Sequence, residues 1–453
     1  MSSSSIVARR MRDVPLNVFA YFSMLANEFG AVNLGQGFPS WGTPDFVERA
    51  ASEALSSSQT HHQYTRPAGE MQLAGYLGNM YSELLGRSIN GLDECVVYSG
   101  AQHGIACALT AFCEPGDEIC VVEPCFDAYM KLASVQGIKC VGVPLRPKIS
   151  NPKYAGDFVI DAKELSDAIS ERTKLLILNT PQTFLGKTYD RNELEEIADV
   201  VRSKHDNLVV LSDEVYEFMT FQKIEHERFA TIQDMYDRTI SLFSAGKTFS
   251  TTGWRVGYSV APPHLSKPLA DATALTTFCA PHPFQRAVHE SFVHVEKSYP
   301  NYYEDVSNEL EAKSTRLMDA LSTYSLTYYS PTSLLTSPRK HTGQTSLRPI
   351  KPMGGYFLMA NCSAIRGNEP FSVPEPQSDI ATEQYDWKLC EWLTREVGVV
   401  AIPASSAYTE STREQWSDED VYVRFAFCKA DVDIDNAVTR LLEGANRFDA
   451  LSP

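Results

Sequence analysis

Between about residue 94 and residue 260, short runs of β-branched and other apolar residues alternate with stretches whose apolar positions recur every three or four residues. The runs Glu94–Tyr98, Glu118–Val122, Lys139–Val143, Lys174–Asn179, Asn207–Leu211, Thr239–Phe243 and Val256–Val260 predict strands. The intervening stretches Gln102–Phe112, Asp127–Gln136, Asp161–Ser170 and Arg191–Ser203 predict helices. Strand and helix in alternation, with short connections, imply an α/β chain with a mostly parallel sheet sandwiched by helices. Ligands of such sheets gather at the carboxyl ends of the strands. After Pro283 the pattern changes. Gln285–Leu321 is rich in helix formers with a break at Pro300, and Gly354–Ala360, Val399–Ile402 and Val421–Phe427 predict short strands of a smaller α/β unit. Ser330–Ile350 and Gly367–Gln377, rich in Ser, Thr and Pro, predict loops. No internal repeat or heptad run interrupts this organisation.

Composition narrows the classes. A chain of 453 residues, 43% hydrophobic, holds two or three domains with an ample core. Its 57 acidic against 40 basic residues give a net charge of −17, with no basic run to offset it, which argues against nucleic acid or a membrane surface as partner. No apolar stretch is long enough to span a bilayer; the richest, Gly104 to Cys113, suits a buried helix. The N-terminus lacks a signal-peptide core. Ser2 to Ser5 followed by Arg9, Arg10 and Arg12 resembles a short transit peptide, with a disordered basic start as the plainer reading. A cytoplasmic location is expected, with mitochondrial import as the alternative. The 10 cysteines form no C-x-x-C pair and no cluster with histidine at metal-ligand spacing, so they predict buried free thiols and no metal site.

Candidate chemistry lies at predicted strand ends. Ser244-Ala-Gly-Lys247 closes one strand, and Arg255 follows within Gly253-Trp-Arg-Val-Gly257. Alone, that pattern could be a phosphate-binding loop. Leu211-Ser-Asp213-Glu-Val-Tyr216 ends another strand with a carboxylate and a phenol, and Ser99-Gly100-Ala101-Gln102 joins a strand to a helix whose N-terminus suits an anion. A lysine, a carboxylate, a phenol and phosphate donors together match what pyridoxal 5′-phosphate requires.

With the motifs Asn33-Leu-Gly-Gln-Gly-Phe-Pro39, Gln63-Tyr-Thr65, Glu123-Pro-Cys-Phe-Asp127, Ser212–Tyr216, Ser244–Lys247 and Tyr422-Val-Arg-Phe425, the chain resembles a fold-type-I, class I aminotransferase. The group is that of kynurenine aminotransferase, glutamine transaminase K and cysteine-S-conjugate β-lyase, and the likeness runs from about Val18 to Phe427. The resemblance implies a large cofactor domain, residues 46–295, and a small domain, residues 296–453, joined by an N-terminal arm, residues 1–45. It implies that Lys247 forms the Schiff base and then moves a proton, that Asp213 pairs with the ring nitrogen, and that Tyr216 donates to the cofactor's phenolate oxygen. Phe126 would stack on the ring, or else be core packing. Ser244, Arg255, Ala101 and Gln102 would hold the phosphate. Arg424 would take the substrate α-carboxylate in a fork, beside the Gly35 backbone. Tyr64 would cross to the neighbouring subunit of a homodimer. The substrates implied are an amino acid and a 2-oxo acid.

The chain departs from this family pattern at the run Asn179-Thr-Pro-Gln-Thr183-Phe184-Leu-Gly186-Lys187, where Thr183-Phe184 replaces Asn-Pro. Thr183 can supply at most one of the contacts of the lost amide. A cis bond before Phe184 would cost roughly 3 kcal/mol, so a trans bond is expected. Cys279 stands where relatives of the kynurenine type have histidine, and Phe19 falls near a usual tryptophan. Transamination of an aromatic, kynurenine- or glutamine-like L-amino acid is the expected activity. The alternatives are β-elimination from cysteine S-conjugates and a non-catalytic binding protein, against which Lys247 argues.

Overall fold

The computed structural model describes residues 6–12, 17–323, 325–326, 345–365, 384–416 and 421–447. Its centre is a seven-stranded sheet of β1 (Cys95–Tyr98), β2 (Glu118–Glu123), β3 (Lys139–Pro144), β4 (Thr173–Asn179), β5 (Val209–Asp213), β6 (Thr239–Ser244) and β7 (Gly257–Val260). The order across the sheet is β1-β7-β6-β5-β4-β2-β3. Only β7 runs against its neighbours, β1 and β6. The carboxyl ends of six strands and the start of β7 therefore share one edge.

The central strands are largely apolar and buried because both faces are covered. Alternation along β4 shows it. Leu175 and Ile177 enter a core with Leu109 of helix Ala101–Phe112 and Leu269 of helix Pro263–Thr276, whereas Leu176 and Leu178 enter another with Leu194 and Ile197 of helix Arg191–Arg202. That last helix starts at a capping box in which Asp190 and Glu193 satisfy each other's backbone N–H groups. The helical stretch expected after Pro283 is two helices, His282–Ser298 and Tyr302–Thr323, divided at Pro300.

A second, antiparallel sheet follows, made of β8 (Arg348–Pro349), β9 (Phe357–Asn361), β10 (Ile402–Pro403) and β11 (Tyr422–Ala426) in the order β8-β9-β11-β10. The expected single strand Val399–Ile402 is divided. Val399 and Val400 pair in parallel with Val32 and Asn33 of the N-terminal arm, while Ile402 and Pro403 pair with β11. Much of the expected loop Ser330–Ile350, and all of Gly367–Gln377, lie outside the described residues. The described end of the first is strand rather than loop: Thr345–Ser346 pairs with Ser325–Leu326, and β8 pairs with β9. Leu347 and Ile350, both fully buried, anchor it, a packing that its polar composition concealed. Among the described residues no helix is long and apolar enough to cross a membrane, and no group of His, Cys, Asp or Glu is placed to hold a metal ion.

Candidate active site

Asp213 ends β5 inside the core, 3% exposed. Its Oδ2 accepts from the Tyr129 hydroxyl at 2.5 Å, and its Oδ1 is buried without a hydrogen-bond partner. Burial pushes the carboxyl up to about 6, against which the Tyr129 hydrogen bond works. An acid so placed is short of one N–H donor. The side-chain amide of Asn179, at the end of β4, donates to Asp213 O at 2.9 Å, and its oxygen accepts from Thr183 N at 2.7 Å.

Lys247 lies one turn beyond β6, in the short helix Ala245–Thr248. Its Nζ donates to Gly37 O at 2.7 Å and stands 5.1 Å from the centre of the Tyr356 ring and 5.6 Å from that of Tyr216. Burial, aided by the charges of Arg424, Arg255 and Lys429, lowers the amine to about 8. Such an amine is partly neutral, and so nucleophilic, near physiological pH. Burial raises the phenol of Tyr216, which therefore stays protonated and able to donate, and the Thr183 side chain lies within its hydrogen-bonding reach.

Beside this pair is an anion cradle. Gly100 precedes helix Ala101–Phe112 with φ +87°, and a Cβ there would come within 2.4 Å of Arg255 Nη2. Only glycine lets the Arg255 guanidinium lie against the turn. The N–H groups of Ala101 and Gln102, in the first helical turn, have no acceptor within the helix. Arg255, itself at φ 56°, is exposed and spends one donor on Thr252 O at 3.0 Å. Ser244 caps the Lys247 helix. Phe126 precedes helix Asp127–Val135, partly buried, with its ring 5.7 Å from that of Tyr129 and perpendicular to it.

The N-terminal arm closes the other side. Arg424, on β11, is 1% exposed. Its Nη2 donates to Gly35 O at 2.7 Å, Nε is buried without a partner, and no carboxylate pairs with it among the described residues. Burial lowers the guanidinium to about 10. Lys429 Nζ donates to Phe38 O at 2.9 Å. Three cations thus hold the carbonyls of residues 35, 37 and 38. Gly37 is required because a Cβ would fall 2.2 Å from the Phe357 ring.

Of the residues expected from sequence, Lys247, Asp213, Tyr216 and Thr183 meet at the sheet edge, with Ser244, Arg255, Ala101 and Gln102 alongside and Gly35 and Arg424 on the arm side. Tyr64 stands apart, 81% exposed, its ring 5.0 Å from that of Phe278. Cys279 follows Phe278 and is half-buried. The bond before Phe184 is trans; among the described residues the cis bonds are Glu123–Pro124 and Thr180–Pro181. Tyr129, Asn179, Lys429 and Phe357 were not singled out by sequence. Tyr129 alone had a local signal, one helical turn after Phe126 and so on the same face. Asn179 lies four residues before Thr183 and Lys429 five after Arg424, but no local periodicity aims either side chain at the site, and Phe357 comes from a separate segment. Cys428 is a further addition, a thiol buried near Lys247, Tyr216 and Arg424 that burial keeps protonated.

The family model for aminotransferases of class I and II matches residues 30–441. The chain belongs to that family. This aminotransferase is 34% identical over 434 residues to kynurenine–oxoglutarate transaminase of Dictyostelium discoideum, covering 94% of each chain. It is 33% identical to human kynurenine–oxoglutarate transaminase 3, covering 96% of this chain and 90% of the relative. Among solved structures, Bna3p of Saccharomyces cerevisiae superposes with a TM-score of 0.84 at 28% identity, over 97% of this chain and 99% of that one. The aminotransferase has the type I fold of pyridoxal-phosphate enzymes and transfers the amino group of an amino acid to a 2-oxo acid. Its residues fit the cofactor. The unpartnered Asp213 Oδ1 can take a pyridinium N–H, the Gly100–Arg255 cradle suits a phosphate, and Lys247 offers the amine.

Proposed function

We propose that the aminotransferase acts on an aromatic, kynurenine-like or glutamine-like L-amino acid, with Arg424 as anchor for the α-carboxylate and Lys247 as the proton carrier. One observation carries this reading: Arg424 Nη2 and Lys247 Nζ hydrogen-bond carbonyls two residues apart on the same arm, those of Gly35 and Gly37. Two residues span at most about 7 Å. A buried guanidinium and a reactive amine that face one short stretch of the arm suit a molecule whose amino and carboxylate groups share one carbon.

Bound pyridoxal phosphate would supply an aldehyde that accepts amino groups and a protonated ring that withdraws electrons from the substrate's Cα. Asp213 would keep that ring protonated, its buried Oδ1 accepting the N–H. Tyr216 would donate to the phenolate oxygen. Ser244, Arg255 and the N–H groups of Ala101 and Gln102 would hold the phosphate, and Phe126 would pack on the ring. Lys247 would move the proton between the substrate's Cα and the carbon of the cofactor's aldehyde group, on the far side of the substrate nitrogen; an amine titrating near 8 can take and give a proton at neutral pH. Arg424 would present two parallel N–H groups to the carboxylate, displacing its hold on Gly35 O. The arm lies against both, and Arg424 is shut off from water.

β-Elimination from cysteine S-conjugates is the second reading, favoured by Thr183 in place of an amide beside Tyr216. It needs no acceptor acid. Incubation with kynurenine, phenylalanine or glutamine, with and without a 2-oxo acid, tests the choice. Strict dependence on the acceptor is expected; pyruvate and ammonia formed from a cysteine S-conjugate without acceptor would establish the lyase.

The proposed assembly is a homodimer in which Tyr64 enters the partner's site, which its exposure and its contact with the exposed Phe278 support. Sedimentation should give twice the chain mass. The pairing of Val32–Asn33 with Val399–Val400 supports a division into an arm (1–45) that joins the small domain (296–453), beside a cofactor domain (46–295). The cysteines, all free thiols, support a reducing compartment, in our reading the cytoplasm.

A further inference from the structure

Arg424 is a buried cation whose neighbours are ring faces. Its guanidinium carbon lies 3.9 Å from the centre of the Phe357 ring, 4.4 Å from Phe184 and 5.3 Å from Phe19. The three rings come from different parts of the chain. Phe357 is on β9, whose Met359 pairs with Arg424 in the same sheet, so it moves with the arginine. Phe19 lies in the first turn of helix Val18–Phe29, where its N–H is capped by Asn17 at 3.0 Å. Phe184 alone belongs to the cofactor side. Its turn is held on both flanks: Thr183 N donates to Asn179 Oδ1, Leu185 N to Gln182 Oε1 at 3.2 Å, and Gly186 N to Gln182 O at 3.0 Å. Phe184 is fully buried. Asn179 in turn donates to Asp213 O. An unbroken series of contacts therefore runs from Asp213 through Asn179, Thr183 and Phe184 to the guanidinium of Arg424.

We propose that Phe184 is a positioning residue for transamination: its ring fixes the plane of the Arg424 guanidinium relative to the cofactor side, so that the substrate carboxylate is held at the spacing the reaction needs. The inference rests on the carboxylate role proposed for Arg424 and states how this chain delivers it. The physical reasons are two. A ring against the guanidinium carbon offers no hydrogen-bond acceptor, so the aromatic contact constrains the fork without using its donors. Among the described residues the guanidinium has no carboxylate partner and only one of its N–H groups is occupied, by Gly35 O, so the rings packed on it set its plane. The ring thus takes over, by packing, an orienting task at the position where the family pattern carries proline beside an amide.

The test is calorimetric titration of the holoenzyme with 3-phenylpropionate and with its neutral amide, 3-phenylpropanamide, for the wild type and for F184L, F184Y and R424K. F184L is expected to weaken binding of the acid about tenfold while leaving the amide within about twofold, and F184Y to restore the acid. In steady state F184L should raise KM with little change in kcat. Equal weakening of acid and amide would reduce Phe184 to a wall of the pocket and overturn the proposal, as would unchanged acid binding. R424K separates the two readings. If it loses the preference for acid over amide while F184L keeps it, only the role of Phe184 falls; if R424K keeps that preference, the Arg424 reading falls and this one with it. Should F184L fail to fold, F184M, of similar volume and without a ring face, carries the same comparison.

Discussion

Tyr129 donates its hydroxyl to Asp213 Oδ2 at 2.5 Å, and the other carboxylate oxygen is buried without a partner. The hydrogen bond holds the carboxyl down against the burial that raises it to about 6. Y129F should therefore move it higher still, leaving Asp213 protonated over more of the physiological range and unable to accept from the cofactor's ring. Pyridoxal phosphate binding is expected to weaken about tenfold at pH 7, by one charge-assisted hydrogen bond's worth. The wild type should lose affinity as pH falls through about 6, and Y129F should lose it from a higher pH. Fluorescence titration of the apoprotein across pH 5 to 8 checks both.

The same group gives a stability prediction with a definite sign. A carboxyl raised in the folded state favours folding below its unfolded value and loses that contribution as pH rises through its folded one. Apoprotein stability should accordingly decline between about pH 4, the unfolded value, and about pH 6 on account of Asp213. D213N removes the buried charge and should stabilise the apoprotein at pH 7 by up to about 3 kcal/mol while abolishing tight cofactor binding. Urea unfolding of both apoproteins measures the difference.

Lys247 should capture the cofactor's aldehyde through its neutral form. Because burial lowers its amine to about 8, the rate of capture by apoprotein is expected to climb as pH rises through 8 and then level off, rather than continue toward the range of an ordinary lysine. Stopped-flow absorbance follows it. K247A should lack the visible absorption of lysine-bound cofactor and lose about 10⁴-fold or more in transamination rate. A wild-type protein that takes up no cofactor would sink the enzyme reading.

At Gly100, a methyl group would enter the space of the Arg255 guanidinium, on a backbone at φ +87°. G100A should cost about 1–3 kcal/mol of stability from the backbone alone, since its φ and ψ lie in a region only glycine adopts readily. Its larger effect should be on the phosphate: cofactor dissociation at least about tenfold faster in dialysis, from loss of one arginine contact.

Lys429 holds Phe38 O with a buried amine, which burial lowers below its usual value. K429M leaves that carbonyl unsatisfied, at a cost of about 1–3 kcal/mol. Faster proteolytic cleavage between residues 35 and 40 is the expected result, with KM raised more than kcat is lowered. Mass spectrometry of limited digests reads it.

Much was legible from sequence alone because its causes are local. Strand–helix alternation from Cys95 to Val260, the small residues before Lys247, the acid ending β5 and the glycine before helix Ala101–Phe112 each follow from a few adjacent positions. Parallel topology then puts strand ends on one edge, so Lys247, Asp213 and the cradle could be expected together. The departures at Thr183-Phe184 and Phe19 were visible too, but not their shared consequence. That Phe19, Phe184 and Phe357 surround one guanidinium, that Tyr129 reaches Asp213, and that Arg424, Lys247 and Lys429 hold three carbonyls of one arm were decided by tertiary structure. These contacts join residues as far apart in sequence as Phe19 and Arg424, and no local periodicity encodes them. They arise because burying cations forces them onto whatever rings and carbonyls the packed sheets and the returning arm bring within reach.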